Sequence, residues 1–237
     1  MVAASHRQLS EPERKLRDGL KRCGLFSRLD ESAIVEVVRA STLSRFARRR
    51  QVYGQKERPT AVFVLMSGRV RVVRTTSDER ALTVAYLGAG ELIGETAFMG
   101  GDGYRDAATA TENGEAVRIP IARMRDLLRY QPFAVAMLQL MLERRLQAER
   151  RIESLLSRSV DSRVAEFLLD AADRHGIPDS RGILIAVRYT HQEIADYVGS
   201  TRETVTLALG ELRRRNAITF DHRRLVLLNV RDLHALR

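Results

Sequence analysis

The stretch from Thr190 to Arg215, THQEIADYVGSTRETVTLALGELRRR, constrains the fold more than any other, because it spells two short helices and the sharp turn between them. Thr190 is placed to cap the first helix, with Glu193 three residues on to close a capping box, and Ser200 with Glu203 repeats the arrangement at the second. Between the caps Ile194, Ala195 and Val198 keep helical spacing, and Gly199 supplies the backbone freedom that a reversal needs. On the second helix Val205, Leu209 and Leu212 form one apolar stripe, which docks inward and leaves Arg202, Glu203, Thr206 and Arg213 on the opposite face. Helical hairpins of this kind are common and many serve packing alone. Here the pair is followed at once by AITFDHRRLVLL, two β-rich runs about a polar turn, which predict a hairpin or wing beside the helices.

A winged helix-turn-helix has a known use for such a face, since the first turns of its second helix reach base edges in the major groove of DNA. Arg202 suits guanine O6 and N7, and Glu203 can accept from cytosine N4. Thr206, Thr190, Ser200 and Thr201 complete the expected contact set near the helix starts, with Arg213, Arg223 and Arg224 placed to position phosphates. The net charge of +10 permits a polyanionic partner but does not point to this region. Residues 159 to 237 carry 12 basic and 11 acidic side chains, whereas residues 1 to 158 carry 28 and 19. The DNA argument therefore rests on local pattern.

Ahead of this region the period changes twice. Residues 9 to 40 read as helical, with Ile34, Val35, Val37 and Val38 following a capping-like Asp30-Glu31-Ser32. An all-β region follows. TAVFVLMSGRVRVVRTT is two strands about Ser67-Gly68, and ALTVAYLGAGELIGETAF and DAATATENGEAVRIP add short strands punctuated by glycine, which means a small barrel or roll. The arginines at 69, 71 and 74 alternate with valines and read as its solvated face. From Pro132 a run of more than twenty residues lacks glycine and proline. In it Leu138, Met141, Ala148, Ile152 and Leu155 fall on a seam of spacings four and three, which predicts pairing of two copies. Ser157, Arg158 and Ser159 break the stripe and make a hinge. The fold class expected is α+β, with residues 1–131 as N-terminal helices and β-roll, 132–158 as a long dimerisation helix and hinge, and 159–237 as the winged helix-turn-helix.

A β-roll, a seam helix, a hinge and a winged helix-turn-helix in that order resemble the CRP/FNR family of bacterial transcription regulators, over nearly the whole chain. The strongest local matches are HQEIADYVGSTRETV, SGRVRV, and Gly94 and Glu95 followed after nine residues by Arg105. The resemblance implies a cyclic-nucleotide-binding-like jelly roll in which Gly94, Glu95 and Arg105 hold a ribose and a cyclic phosphate. Relatives that bind cyclic AMP follow that arginine with serine or threonine. This chain has Asp106, an anion beside the expected anion site, with Arg105 then expected to pair with Asp106 or with Glu149 of the partner subunit. On the long helix the two small hydroxyl residues of such relatives fall on Ala148 and Glu149. The pocket is therefore expected to be degenerate and cyclic AMP not to be its ligand, while arginines 144, 145, 150 and 151 leave room for a larger anion such as a cyclic dinucleotide. A third base-reading arginine of many relatives is replaced by Leu207.

The expected function is that of a homodimeric, sequence-specific DNA-binding transcription regulator that binds a palindromic site without cyclic AMP, with RNA polymerase as a further partner. The other class considered is a small-molecule sensing module whose helix-turn-helix serves protein contact. An enzyme is not expected. The five histidines show no metal-ligand spacing and no nucleophile elbow is present. Cys23, the single cysteine, excludes an internal disulfide and reads as a buried, inert thiol. No apolar run reaches the length of a membrane span and the first residues lack a signal peptide, so a cytoplasmic protein is expected.

Overall fold

The computed structural model describes residues 9–77, 79, 81–99 and 103–236. It falls into two compact units, Met1–Arg144 and Arg145–Arg237. The boundary lies inside the long helix and not at either of its ends.

The first unit opens on α1 (Glu11–Lys21), where Ser10 and Glu13 close a capping box, and α2 (Glu31–Ala40), where the Asp30 carboxylate accepts from the Ala33 N–H at 2.7 Å. Eight strands follow: β1 (Thr42–Phe46), β2 (Gln51–Tyr53), β3 (Ala61–Ser67), β4 (Val70–Thr75), β5 (Ala81–Leu87), β6 (Leu92–Ile93), β7 (Ala107–Ala110) and β8 (Gly114–Pro120). They form two antiparallel sheets, in the orders β1-β8-β3-β6 and β2-β7-β4-β5. The successive strands β3 and β4 thus belong to different sheets, and Ser67-Gly68 is the corner between them. Gly68 turns it at φ +76°, where an added Cβ would meet the Asn113 carbonyl oxygen at 2.5 Å. Val62, Val64, Leu65, Val117 and Ile119 are fully buried, with Phe26, Met124 and Phe133 of the helical flanks in the same core and Cys23 buried among them.

The corner also corrects the reading of the arginines. Arg69 is buried, with its Nε donating to Thr111 Oγ1 at 3.3 Å and its guanidinium 5.3 Å from the Tyr86 ring centre. Arg71 is half-buried and donates to Thr83 Oγ1, and Arg74 alone of the three is exposed. At a corner both faces of the chain are covered, so an arginine lays its stem and head along neighbouring side chains instead of facing water.

After α3 (Ile121–Leu127) comes α4 (Gln131–Ser157), whose first turns bury Phe133 and Met137 in the roll's core. The second unit holds the last turns of α4, then α5 (Val160–His175), capped by Ser159, then β9 (Gly176–Asp179), β10 (Gly182–Ile185), α6 (His191–Val198), α7 (Arg202–Arg214), β11 (Ile218–Asp221), β12 (Arg224–Leu227) and α8 (Val230–Ala235). Its sheet runs β11-β12-β10-β9, all antiparallel. The sequence pointed only to the β11–β12 hairpin. The β9–β10 pair escapes because Gly176 and Pro178 read as a helix stop, yet Pro178 is tolerated on an edge strand that needs no outward N–H. Val164, Leu168, Ile185, Ile194, Val205, Leu209, Leu225 and Leu233 make the second core.

The end of α4 is tied to this second core by two polar links. The Arg151 guanidinium stacks 4.7 Å over the Tyr197 ring, and Ser154 Oγ donates to Glu166 at 2.5 Å. Arg163 of α5 then joins the residue after α4 to the end of α6, its Nη1 donating to the Arg158 carbonyl at 2.7 Å and its Nε to the Val198 carbonyl at 2.8 Å. Among the described residues no helix is long and apolar enough to cross a membrane.

Candidate nucleic-acid interface

The helix-turn-helix forms as the sequence dictates at its first cap and differs at its second. Thr190 Oγ1 accepts from the Glu193 N–H at 3.1 Å while the Glu193 carboxylate accepts from the Thr190 N–H at 2.7 Å, so the first capping box closes. Gly199 ends α6 in the left-handed region at φ 65°, and a side chain there would run into Leu155. That turn spends the Ser200 N–H on the Ala195 carbonyl at 3.0 Å. Ser200 is therefore part of the exit from α6, and the cap of α7 is Thr201, whose Oγ1 accepts from the Thr204 N–H at 3.2 Å. The Ser200–Glu203 capping box predicted from sequence does not form, and Glu203 is released to solvent.

Val205, Ala208, Leu209 and Leu212 of α7 are buried, which turns Arg202, Glu203, Thr206, Leu207, Gly210 and Arg213 outward. Thr206 is less available than its exposure suggests. Its hydroxyl donates to the Arg202 carbonyl and lies 2.8 Å from His191 Nδ1, so it bridges α7 to the start of α6. Burial and the neighbouring Arg202 charge lower the His191 pKa, which favours a neutral ring in that bridge. Nothing along the chain marks this contact beyond a histidine at a helix start.

The arginines divide into two groups. Arg214 and Arg215 both pair with Glu211, Arg215 at 2.8 Å. Arg202, Arg213 and Arg223 are exposed and have no acidic partner among the described residues. Arg223 stands at the tip of the β11–β12 wing, where Asp221 pairs with Arg224 across a two-residue turn. Both tip residues, His222 and Arg223, have positive φ, at 43° and 68°. Such a turn favours Asn-Gly, and each bulkier residue costs about 1 kcal/mol there. A basic tip held at that cost is the pattern of a functional wing. Arg224 is half-buried with its Nε unsatisfied among the described residues, so it presents less of its side chain to solvent than Arg223.

In the roll, Gly94 (φ +80°) lies against the rings of Tyr53 and Tyr104, which stack with centroids 4.3 Å apart. Tyr104 Oη donates to the Ala61 carbonyl and Tyr53 Oη donates to Asp106 at 2.8 Å. Asp106 is buried and Arg105 is exposed, since neighbours on an extended chain point to opposite sides. The expected Arg105–Asp106 pair is thus absent, and Asp106 faces the roll's interior instead of an anion beside Arg105. Burial, with the Glu95 charge, raises the Asp106 pKa against the opposing pull of Tyr53, Arg74 and Arg144. Burial and the same carboxylate push the Tyr53 hydroxyl far up. Glu95 is engaged by Arg144, which also donates to the Leu92 carbonyl. Ala148 and Glu149 are exposed on α4, with Glu149 paired to Arg145 at 2.7 Å.

Of the seam residues, Leu138, Ala148, Ile152 and Leu155 are exposed, while Met141 packs partly on the roll's core. The exposed apolar line also takes in Val135, Leu142, Leu146 and Leu156, the last 84% exposed. Leu140, like Met141, packs partly against the roll's core, so the exposed line lies to one side of these two residues.

A model of the Crp-like helix-turn-helix domain matches residues 162–237, and one of the cyclic nucleotide-binding domain matches residues 43–131. The chain is 32% identical to the global nitrogen regulator of Synechococcus elongatus over 191 residues, covering 79% of this chain and 86% of that one. It is 32% identical to the nitrogen fixation regulation protein FixK of Azorhizobium caulinodans, covering 88% and 84%. Among solved structures it is similar to FixK2 from Bradyrhizobium japonicum, with a TM-score of 0.73, 25% identity, and 83% and 96% of the two chains covered.

The buried Asp106 carboxylate predicts a pH signature. A carboxyl whose folded pKa lies above its ordinary value of 3.8 adds stability that is complete below that value and is lost as pH rises through the raised one. Melting temperatures of the wild type and Asp106→Asn, followed from about pH 3 to 7, should show the wild type losing ground to the variant as pH climbs above about 3.8. A constant gap across the range would show that the carboxylate feels no cost of burial.

Proposed function

The chain belongs to the CRP/FNR family of bacterial transcription regulators, and on that premise we propose that it binds a palindromic DNA site as a homodimer and does so without cyclic AMP. The observation that carries the DNA reading is the face of α7. Its apolar stripe is buried, and Arg202, Glu203 and Arg213 are left outward with Arg223 on the wing, three cations without an acidic partner among the described residues. Arg202 and Glu203 lie in the first turn and read bases, while Arg213 and Arg223 position phosphates.

The dimer reading is supported by the exposed line along α4. Leu138, Leu142, Leu146 and Ile152 leave apolar surface in water at about 25 cal/mol per Å², a cost that a second copy of the same helix removes. Two copies then present two recognition helices about 34 Å apart, one helical turn of DNA. The polar links from Arg151, Ser154 and Arg163 make the end of that helix and the helix-turn-helix one body, so pairing at the seam is felt at α7.

Independence from cyclic AMP is supported by the state of the roll. The Glu95 carboxylate, which a ribose hydroxyl would need, is held by Arg144, and Tyr53, Tyr104 and Asp106 fill and satisfy the interior next to Gly94. A nucleotide would have to displace Arg144 and then favour the DNA-competent arrangement through differential affinity alone.

Three measurements test these statements. Arg202→Ala should erode preference for a selected site over random duplex by about 1–3 kcal/mol, whereas Arg223→Ala should weaken both alike and lower the salt slope by about 1. Equal losses on both DNAs for Arg202→Ala would reverse the assignment. Sedimentation without DNA should show a dimer at micromolar concentration and a monomer for a Leu142→Glu, Leu146→Glu double variant. A wild-type monomer would remove the half-site argument. Calorimetry should detect no micromolar binding of cyclic AMP, and DNA affinity should be unchanged by it. A tenfold gain, about 1.4 kcal/mol of coupling, would overturn nucleotide independence.

A further inference from the structure

Leu207 is 74% exposed in the middle of the recognition helix, where an aliphatic side chain gains nothing from the fold. Single exposed leucines are ordinary on protein surfaces, so exposure alone says little. Its surroundings say more. It lies four residues beyond Glu203 and five beyond Arg202, in the second turn of the face that also carries Arg213. Nothing on its own helix covers it. Gly210, three residues on, has no side chain, and a Cβ there would meet nothing within 4 Å. Glu211, four residues on, is drawn away to Arg214 and Arg215. The result is one apolar knob on an otherwise polar reading face, with a bare glycine beside it where helix backbone can come close to another surface. A glycine in a helix interior costs roughly 1 kcal/mol against alanine, which a close approach there would offset.

We propose that Leu207 is a specificity-determining residue that reads a thymine, packing its isobutyl group on the C5-methyl in the major groove. The inference rests on the reading of α7 as the helix that enters the groove. The thymine methyl is the one apolar group that the base edges present there, so a side chain without donors or acceptors has a single favourable counterpart. The same chemistry excludes guanine. Leucine set against O6 and N7 would strip water from two acceptors and return no hydrogen bond, a penalty that a thymine never incurs. One side chain thus supplies both attraction to thymine and rejection of guanine, at the base step next to those read by Arg202 and Glu203.

The test begins with a site selected by the full-length wild type from random duplex DNA. Each thymine of a half-site is replaced in turn by deoxyuridine, which lacks only the methyl group. At one position, in the same place in both half-sites, this should lower wild-type affinity about fourfold per half-site, the worth of one buried methyl. Leu207→Ala should bind the thymine and deoxyuridine DNAs with equal affinity at that position. Leu207→Arg should select guanine at that same position. Circular dichroism checks that both variants stay folded, as substitutions at an exposed site should. Indifference of the wild type to uridine at every position, or an unchanged uridine loss in Leu207→Ala, overturns the assignment of Leu207. If the selected site then still depends on Arg202, the DNA reading of α7 stands without it. If no site is selected at all, both fall together.

Discussion

Burial of Val205, Leu209 and Leu212 beneath α5 and α6 is the constraint on which the functional reading depends. A helix of thirteen residues has no preferred outward face until one side is committed to a core. Once those three side chains are inside, Arg202, Glu203, Leu207 and Arg213 have no other place to be. Gly199 sets the angle at which this happens, because its left-handed backbone lets α6 stop and α7 start within three residues. The chemistry of the face follows from packing, and packing from a stripe visible in the sequence.

Legibility varied with the range of the interaction. The Thr190–Glu193 box, the Gly199 turn and the Asp30 cap are local, and each lies within four residues of the groups it satisfies. The misplaced second cap is instructive, since Ser200 and Thr201 carry the same chemistry and only the hydrogen bond from Ser200 back to Ala195 decides between them. Strand existence in the roll was readable from glycine spacing, but not that β3 and β4 join different sheets, and with that went the burial of Arg69. Tyr53 with Asp106 spans 53 residues and Glu95 with Arg144 spans 49, and no pattern along the chain foretells such pairs. The family resemblance located Glu95 and Arg105 without revealing that Arg144 holds the first and that Asp106 turns away from the second.

The roll and the helix-turn-helix resolve buried polarity in different ways. In the roll a carboxylate and a phenol are sunk together, each satisfying the other, with a cost in charge that burial imposes on Asp106. In the second unit the polar groups near the core reach backbone or the surface, as with Arg163 on the Val198 carbonyl and Arg181 on the half-buried Asp179 and Asp221, with Ser154 on Glu166 the buried exception. The first arrangement keeps both polar groups inside the roll and out of water. The second leaves a surface whose cations are available to meet another molecule.

The exposed leucines of α4 carry a consequence for how such a protein would respond to its own abundance. When reading heads come in pairs and single copies are short of a partner, the number of pairs rises with the square of the chain concentration. Occupancy of a target then climbs more steeply than supply, and a twofold change in synthesis or degradation is amplified before any small molecule takes part. If the roll calls for no ligand, as proposed above, the quantity of protein would itself be the signal.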